Sequence, residues 1–165
     1  LWSSYLRILS AQILQLFNYT DRKNLRINMK PFHLALPVQD LNESIAFFKS
    51  IFPIKLGRSS DDWIDLNFYG HQLVLHEHKD FKPYEGFNHV DGDEVPYPHF
   101  GIVLSIDEFY SVIANVETLE IDYYIKPRVR FKNSDGEQST FFLKDPSGNY
   151  IEVKAFKNVN NLFKH

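Results

Sequence analysis

Hydrophobic and polar positions along residues 32–78 predict one strand, one helix and three further strands. His33–Val38 reads as a short strand. Ile45, Phe48 and Phe52 then recur at helical spacing, with Asn42 and Ser44 as candidate caps at the start and Pro53 as the end. Three apolar runs follow, separated by turn-forming residues, and they are typical of strands: 54–56, 63–69 and 72–76.

The same order occurs a second time after a looser stretch, 78–98, which carries three Pro and two Gly. A strand at 99–104 leads into a helix that opens at Ile106, and three more strands are expected at 123–127, 140–143 and 150–156. A repeat of this size indicates two copies of one unit that complete each other's core. One helix accompanies four strands in each copy, so we expect an α+β fold with mostly antiparallel sheets rather than a parallel α/β sheet.

The ends of the chain differ from this repeat. Residues 1–28 place apolar side chains at helical spacing, and we expect an extension that is helical, followed by a polar linker at 18–24. The repeat region is expected to be one domain, 29–158, with modules at about 32–78 and 98–157, and 159–165 to be a tail. Met29, the single methionine, is the expected original start, and the sequence does not define the role of the extension.

Composition narrows the classes of function. A chain of 165 residues can bury roughly two-thirds of its unfolded surface, so a metal would be functional rather than needed for folding. The net charge of -3 and the lack of a dense Lys/Arg block argue against nucleic acid or an anionic membrane as the main partner. There is no cysteine, so disulfides and zinc-thiolate sites are excluded, and a cytoplasmic location is expected.

His33 opens the first strand of the first half, and His99 opens the first strand of the second half. The segment 141–153 reads FFLKDPSGNYIEV. This combination resembles the vicinal oxygen chelate superfamily, which includes glyoxalase I, extradiol dioxygenases and bleomycin and fosfomycin resistance proteins. The elements at 130–132 (RFK) and 136–138 (GEQ) are similar to those of short bacterial proteins described as extradiol-dioxygenase-like. The resemblance implies two βαβββ modules that form a half-open, mostly antiparallel, eight-stranded barrel.

The resemblance also implies metal ligands at His33, His99 and Glu152. Two imidazoles and one carboxylate are the ligand set of non-haem Fe(II) oxygenases. Fe(II) is therefore the first candidate, with Mn(II), Zn(II) and Ni(II) as alternatives. Glu152 interrupts the apolar run 150–153, and burial of a carboxylate in such a run requires a partner.

The resemblance further implies a choice between two reaction types. Glyoxalase I enzymes use a fourth ligand, and alignment of Gly70 with Gly148 puts Val74 opposite Glu152, although His76 faces the same way as Val74. Three ligands favour a dioxygenase-like reaction on a vicinal diol, catechol or enediol, with His71 as the acid-base residue and His76 as the second choice.

Other features keep alternatives open. Phe142 stands where catechol-cleaving members carry a tyrosine, so a glyoxalase-type lyase or isomerase stays close behind, and an antibiotic-binding protein without catalysis is the third reading. Arg130 and Lys154 are candidates for holding an anionic group of the substrate, and Lys154 shares a strand face with Glu152. The resemblance allows a homodimer.

Overall fold

The computed structural model describes residues 30–164. The expected N-terminal helix lies outside these residues. Within them the strands and helices run in the following order: β1 (His33–Val38), α1 (Leu41–Ile51), β2 (Lys55–Ser59), β3 (Trp63–Phe68), β4 (His71–Glu77), β5 (Gly86–Val90), β6 (Asp93–Tyr97), β7 (His99–Leu104), α2 (Ile106–Thr118), β8 (Ile125–Arg130), β9 (Gln138–Lys144), β10 (Tyr150–Phe156) and a short 3-10 helix (Val159–Asn161).

The two halves build two four-stranded sheets with the same strand order. The first sheet is ordered β1-β4-β3-β2 and the second β7-β10-β9-β8. In each sheet the first strand pairs in parallel with the last, and the remaining pairs are antiparallel. The chain is therefore an α+β fold of two βαβββ modules with sheets that do not close, as the sequence predicted.

Each helix begins at a side-chain cap. Asp40 caps α1 by accepting a hydrogen bond from the backbone N–H of Glu43, so the expected caps at Asn42 and Ser44 are wrong. Both of those residues lie inside the first turn, and Ser44 is fully buried. Ser105 caps α2 in a capping box with Glu108, which satisfies two otherwise unpaired backbone donors.

One face of each sheet belongs to a shared hydrophobic core. The side chains of Leu73 and Leu75 on β4, and of Ile151 and Val153 on β10, point into this core. Side chains alternate along a strand. The opposite faces, which we call the polar faces, therefore carry Gln72, Val74 and His76 in the first sheet and Glu152, Lys154 and Thr140 in the second.

The loose stretch at 78–98 contains a β-hairpin that the sequence analysis did not predict. Strands β5 and β6 pair in register around Asp91 and Gly92, which both have positive φ, 47° and 84°. An Asp-Gly pair in this conformation is a favoured two-residue hairpin turn. The prolines at both ends of the segment hid this signal.

No helix in the described part of the chain is long and apolar enough to span a membrane.

Candidate metal site

His99 and Glu152 lie on neighbouring parallel strands and meet on the second polar face. His99 begins β7, and Glu152 pairs with Gly101, two residues further along the same strand. A Cβ atom at position 101 would lie 2.1 Å from the carbonyl oxygen of Glu152, so glycine is required for the close approach of β7 to β10 here. The Nε2 atom of His99 is 3.3 Å from Oε2 of Glu152.

The other nitrogen of His99 is held by the backbone. Nδ1 lies 2.5 Å from the carbonyl oxygen of Pro96, which only accepts hydrogen bonds, so Nδ1 carries the proton and donates. In the neutral ring the lone pair is then on Nε2, on the side of Glu152. Histidines that bind metals are typically oriented by such a hydrogen bond on the other ring nitrogen.

Glu152 is a buried carboxylate with several partners. Its Oε1 accepts a hydrogen bond of 2.8 Å from the hydroxyl of Thr140, and its Oε2 is 3.0 Å from Nζ of Lys154. Burial alone would raise the pKa of Glu152. The hydrogen bond with His99, the charge of Lys154 and the Thr140 hydroxyl outweigh that effect and lower the pKa.

The pKa of His99 moves in the opposite direction. The hydrogen bond with Glu152 raises it, and the Pro96 carbonyl adds to this, whereas burial and the charge of Lys154 oppose it. The contact with Glu152 therefore makes His99 hold its second proton more tightly than an isolated imidazole does.

His33 is part of a separate chain of hydrogen bonds on the first polar face. Its Nδ1 is 2.9 Å from Oε1 of Gln72, and Nε2 of Gln72 donates to Oδ1 of Asp65. Arg58 donates from Nε to the other oxygen of this buried carboxylate. An amide oxygen only accepts, so Nδ1 of His33 is the donor and the lone pair of its neutral ring is on Nε2, as in His99.

The three predicted ligands are not brought together in one chain. Within residues 30–164, no group of three or more His, Cys, Asp or Glu side chains could hold a metal ion. His99 and Glu152 are two of the three predicted ligands and contact each other, whereas His33 lies on the other sheet; we call the pair of His99 and Glu152 the half-site.

The half-site of His99 and Glu152 fits a divalent cation. Nitrogen and carboxylate ligands bind such metals at about 2.0–2.2 Å, so two neighbouring ligand atoms are about 2.8–3.1 Å apart at an octahedral angle and about 3.3–3.6 Å apart at a tetrahedral angle. The observed separation of 3.3 Å between Nε2 and Oε2 is within the tetrahedral range and slightly longer than the octahedral one.

The register of the sheets locates the position equivalent to Glu152 in the first module. Val74 pairs with Ala35, two residues beyond His33, just as Glu152 pairs with Gly101, two residues beyond His99. The aligned position in the first module therefore carries a side chain that cannot bind a metal, which agrees with the sequence alignment.

The two acid-base candidates lie on opposite faces of β4. His71 shares the face of Leu73 and Leu75, which point into the core. His76 shares the polar face with Val74, and the centre of its ring is 6.5 Å from that of Trp63, with the two rings tilted by 36°.

Arg130 and Phe142 lie next to the half-site. Phe142 pairs with Glu152 across the strands, and its ring is 5.2 Å from that of His99. Arg130 is 3% exposed, donates to Asp93, and places its guanidinium carbon 5.7 Å from the centre of the Phe142 ring.

Several residues that orient these groups are not among the candidates predicted from the sequence, among them Thr140, Gln72 and Asp65. Asp65 carried a usable signal, because it interrupts the apolar run of β3 in the same way that Glu152 interrupts β10. The other two are uncharged polar residues within strands, and only the register of neighbouring strands assigns them a partner.

Solved structures with the same fold were found by comparison. A glyoxalase/bleomycin resistance protein/dioxygenase from Alicyclobacillus acidocaldarius is 30% identical, with a TM-score of 0.69 over 84% of this chain and 99% of that one. The fosfomycin resistance protein FosX from Listeria monocytogenes is 19% identical with a TM-score of 0.61, over 84% and 100%. Lactoylglutathione lyase from Agrobacterium tumefaciens is 17% identical with a TM-score of 0.56, over 85% and 100%.

The first of these similarities extends to sequence as well as fold, and the other two support the fold alone. No protein-family model matches the sequence, and no curated protein matches it significantly. The chain is a paired βαβββ protein with a carboxylate–imidazole half-site on its second sheet. It belongs to the glyoxalase/bleomycin resistance/dioxygenase superfamily, also called the vicinal oxygen chelate superfamily.

Proposed function

We propose that this protein is a divalent-metal-dependent enzyme with dioxygenase-like activity on a small vicinal diol, catechol or enediol. The proposed ligands are His33, His99 and Glu152, with Fe(II) as the first candidate and Mn(II), Zn(II) and Ni(II) as alternatives. The contact between His99 and Glu152 is the observation that carries the proposal. When bound, the metal would supply a Lewis acid with open positions for two vicinal oxygens.

The number of ligands favours a dioxygenase over a glyoxalase-type enzyme. Val74 occupies the place of a fourth ligand, so a set of three leaves more of the coordination sphere open than the four ligands of glyoxalase I. An open facial site of two histidines and one carboxylate is typical of oxygen-activating iron enzymes.

We also propose that a second copy of the chain supplies His33. The described residues of one chain hold no three-ligand group. Both His33 and Gly101, the neighbour of Glu152, are exposed at the edges of their sheets. A homodimer that joins the first polar face of one copy to the second polar face of the other would complete the set.

His76 is the better placed of the two acid-base candidates. It lies two residues, about 7 Å, beyond Val74 on the polar face, whereas His71 shares the core side of β4. An imidazole about 7 Å along the strand from the ligand position could accept a proton from a substrate hydroxyl, since the ordinary pKa of an imidazole is near neutral.

Metal analysis tests the proposed ligands. Wild-type protein purified without chelator should contain about one divalent ion per chain, and His99→Ala or Glu152→Gln should lose it. His89→Ala is the matched control, because His89 lies on the exposed strand β5. Equal metal content in His99→Ala and His89→Ala would reject the assignment.

Mixed dimers test whether the site is shared. His33→Ala and Glu152→Gln chains, each unable to bind metal alone, would be unfolded together and refolded as a mixture. Half of the dimers are then mixed, and one of the two sites in each mixed dimer is intact, so about a quarter of the metal binding should return. If all ligands come from one chain, none returns.

A lyase or isomerase is the second candidate, and Phe142 favours it. Its ring lies against His99 and offers no hydroxyl to a bound catecholate or oxygen species. Oxygen uptake with Fe(II) and a panel of catechols and enediols would support the dioxygenase. Turnover without oxygen would support the lyase, and substrate binding without turnover would indicate a binding protein.

A further inference from the structure

Lys154 lies next to the half-site but cannot bind a metal as an ammonium group. It shares Oε2 of Glu152 with His99, at 3.0 Å and 3.3 Å. If Oε2 binds a metal ion, the carboxylate charge is balanced by that ion. The ammonium of Lys154, 30% exposed, is then left beside a cation without its own counter-charge.

The register of the second sheet places more cationic groups near this lysine. Lys154 pairs with Thr140 on β9, and Thr140 pairs with Arg128 on β8. Arg130 pairs with Gln138, and its guanidinium carbon lies 5.7 Å from the centre of the Phe142 ring. Lys154 and Arg128 thus occupy strand positions on either side of Thr140, and Arg130 lies beside the ring of Phe142, the strand partner of Glu152.

Lys154, Arg128 and Arg130 are paired with only two carboxylates, those of Glu152 and Asp93. Arg128 and Arg130 share the single carboxylate of Asp93, at 2.5 Å and 2.6 Å. The Nε atom of Arg130 is a buried donor without a hydrogen-bond partner among the described residues. A bound anion would supply the acceptor and the negative charge that these groups lack.

The repeat shows which part of a substrate would meet Lys154. Lys154 lies two residues beyond Glu152, and His76 lies two residues beyond Val74, so the two occupy equivalent positions in the two modules. Both stand about 7 Å along their strands from the ligand level. The side chain of Lys154 reaches back to within 3.0 Å of Oε2 of Glu152, so an anionic group held by its ammonium lies directly beside the atoms that chelate the metal.

We propose that Lys154, together with Arg130, forms an anion subsite of the metal site. The substrate accordingly carries a carboxylate, phosphonate or phosphate group in addition to its chelating oxygens. This inference rests on the proposed function, because a metal ion on Glu152 is what releases Lys154 from its ion pair.

Inorganic phosphate is a suitable probe, with binding measured by calorimetry on Mn(II)-loaded protein. Lys154→Met should keep its metal, since Lys154 competes with the ion for Oε2, and should bind phosphate about tenfold more weakly or worse. Lys154→Arg should keep most of the affinity. Lys157→Met is the matched control, because Lys157 is 89% exposed and pairs loosely with Glu137 at 3.9 Å; its affinity should stay within about twofold of wild type.

A second arm works without any metal. In Glu152→Gln the lysine loses its carboxylate partner by mutation, so the metal-free variant should bind phosphate more tightly than the metal-free wild type. Adding Lys154→Met to that variant should remove the gain. Equal phosphate binding by the single and double variants overturns the subsite even if the metal proposal holds. Conversely, a gain that depends on Lys154 supports the subsite even if the wild type binds no metal.

Discussion

The hydroxyl of Thr140 donates a hydrogen bond of 2.8 Å to Oε1 of Glu152, and both side chains are buried. This bond fixes the carboxylate so that its other oxygen, Oε2, is the one that faces His99 and Lys154. The orientation is set before any ligand binds, and hydrogen bonds of this kind to ligand residues commonly decide metal affinity.

Thr140→Val should therefore weaken metal binding while preserving the fold. Valine keeps the shape of the side chain but leaves Oε1 without its donor, and we expect a loss of about tenfold to hundredfold in metal affinity. Thr140→Ser keeps the hydroxyl and serves as the control. Titration with Mn(II) measures both; equal affinities for the valine and serine variants would show that the bond has no orienting role.

Metal affinity should also depend on pH through His99. The pKa of His99 is raised, chiefly by Glu152, so the metal-free protein holds this proton above the ordinary pKa of histidine. The pKa of Glu152 is lowered, so the carboxylate does not compete for a proton in the same range. Binding must displace one proton from His99, and affinity should rise about tenfold per pH unit until the pH passes the raised pKa, then level off.

Calorimetry in buffers of different ionisation enthalpy measures this proton release directly. About one proton should be released per metal ion between the ordinary pKa of histidine and the raised pKa, and none well above the raised pKa. His89→Ala should leave the profile unchanged, because His89 lies on the exposed hairpin strand. Affinity that does not change with pH would argue against His99 as a ligand.

Much of this fold follows from local pattern. His33–Val38, His99–Leu104 and Tyr150–Phe156 begin and end where the alternation of apolar residues predicts them. The hairpin of β5 and β6 departs from the prediction, because Pro96 within β6 argues against a strand and the signal for the hairpin lies in the turn at Asp91 and Gly92. Turn chemistry, rather than apolar periodicity, defines that element.

The site was predictable only as far as strand register could be guessed. The repeat pointed to His33 and His99, and the interrupted apolar run pointed to Glu152. Sequence could not reveal that His33 is tied to Gln72 while His99 meets Glu152. Each contact joins two paired strands of one sheet, β1 with β4 and β7 with β10, and a sequence pattern within one strand carries no information about which strand lies beside it or in which register.

Gly101→Ala should destabilise the second sheet. The new Cβ would lie 2.1 Å from the backbone oxygen of Glu152, and a backbone atom cannot move aside without breaking the β7–β10 ladder. We expect a loss of about 2–3 kcal/mol in the free energy of unfolding, with loss of metal binding. Gly136→Ala is the control, since its nearest neighbour would be Ser134 Oγ at 3.7 Å. Denaturation curves that coincide for the two variants would contradict the close approach.

Asp93 is predicted to hold the β5–β6 hairpin, and with it the carbonyl of Pro96, against the second sheet. Asp93→Ala would leave the guanidinium of Arg130, 3% exposed, buried without a counter-charge, and we expect a loss of about 3 kcal/mol in the free energy of unfolding. Metal affinity should fall as well, because β6 leads directly into His99, whose Nδ1 bonds to Pro96.

Asp135→Ala is the control for this prediction. It removes an exposed carboxylate 3.6 Å from Lys164 and should lower the free energy of unfolding by at most about 1 kcal/mol. Urea denaturation of the two variants, with Mn(II) titration of each, checks both effects. Equal stability of the two variants would mean that Asp93 does not fix the hairpin.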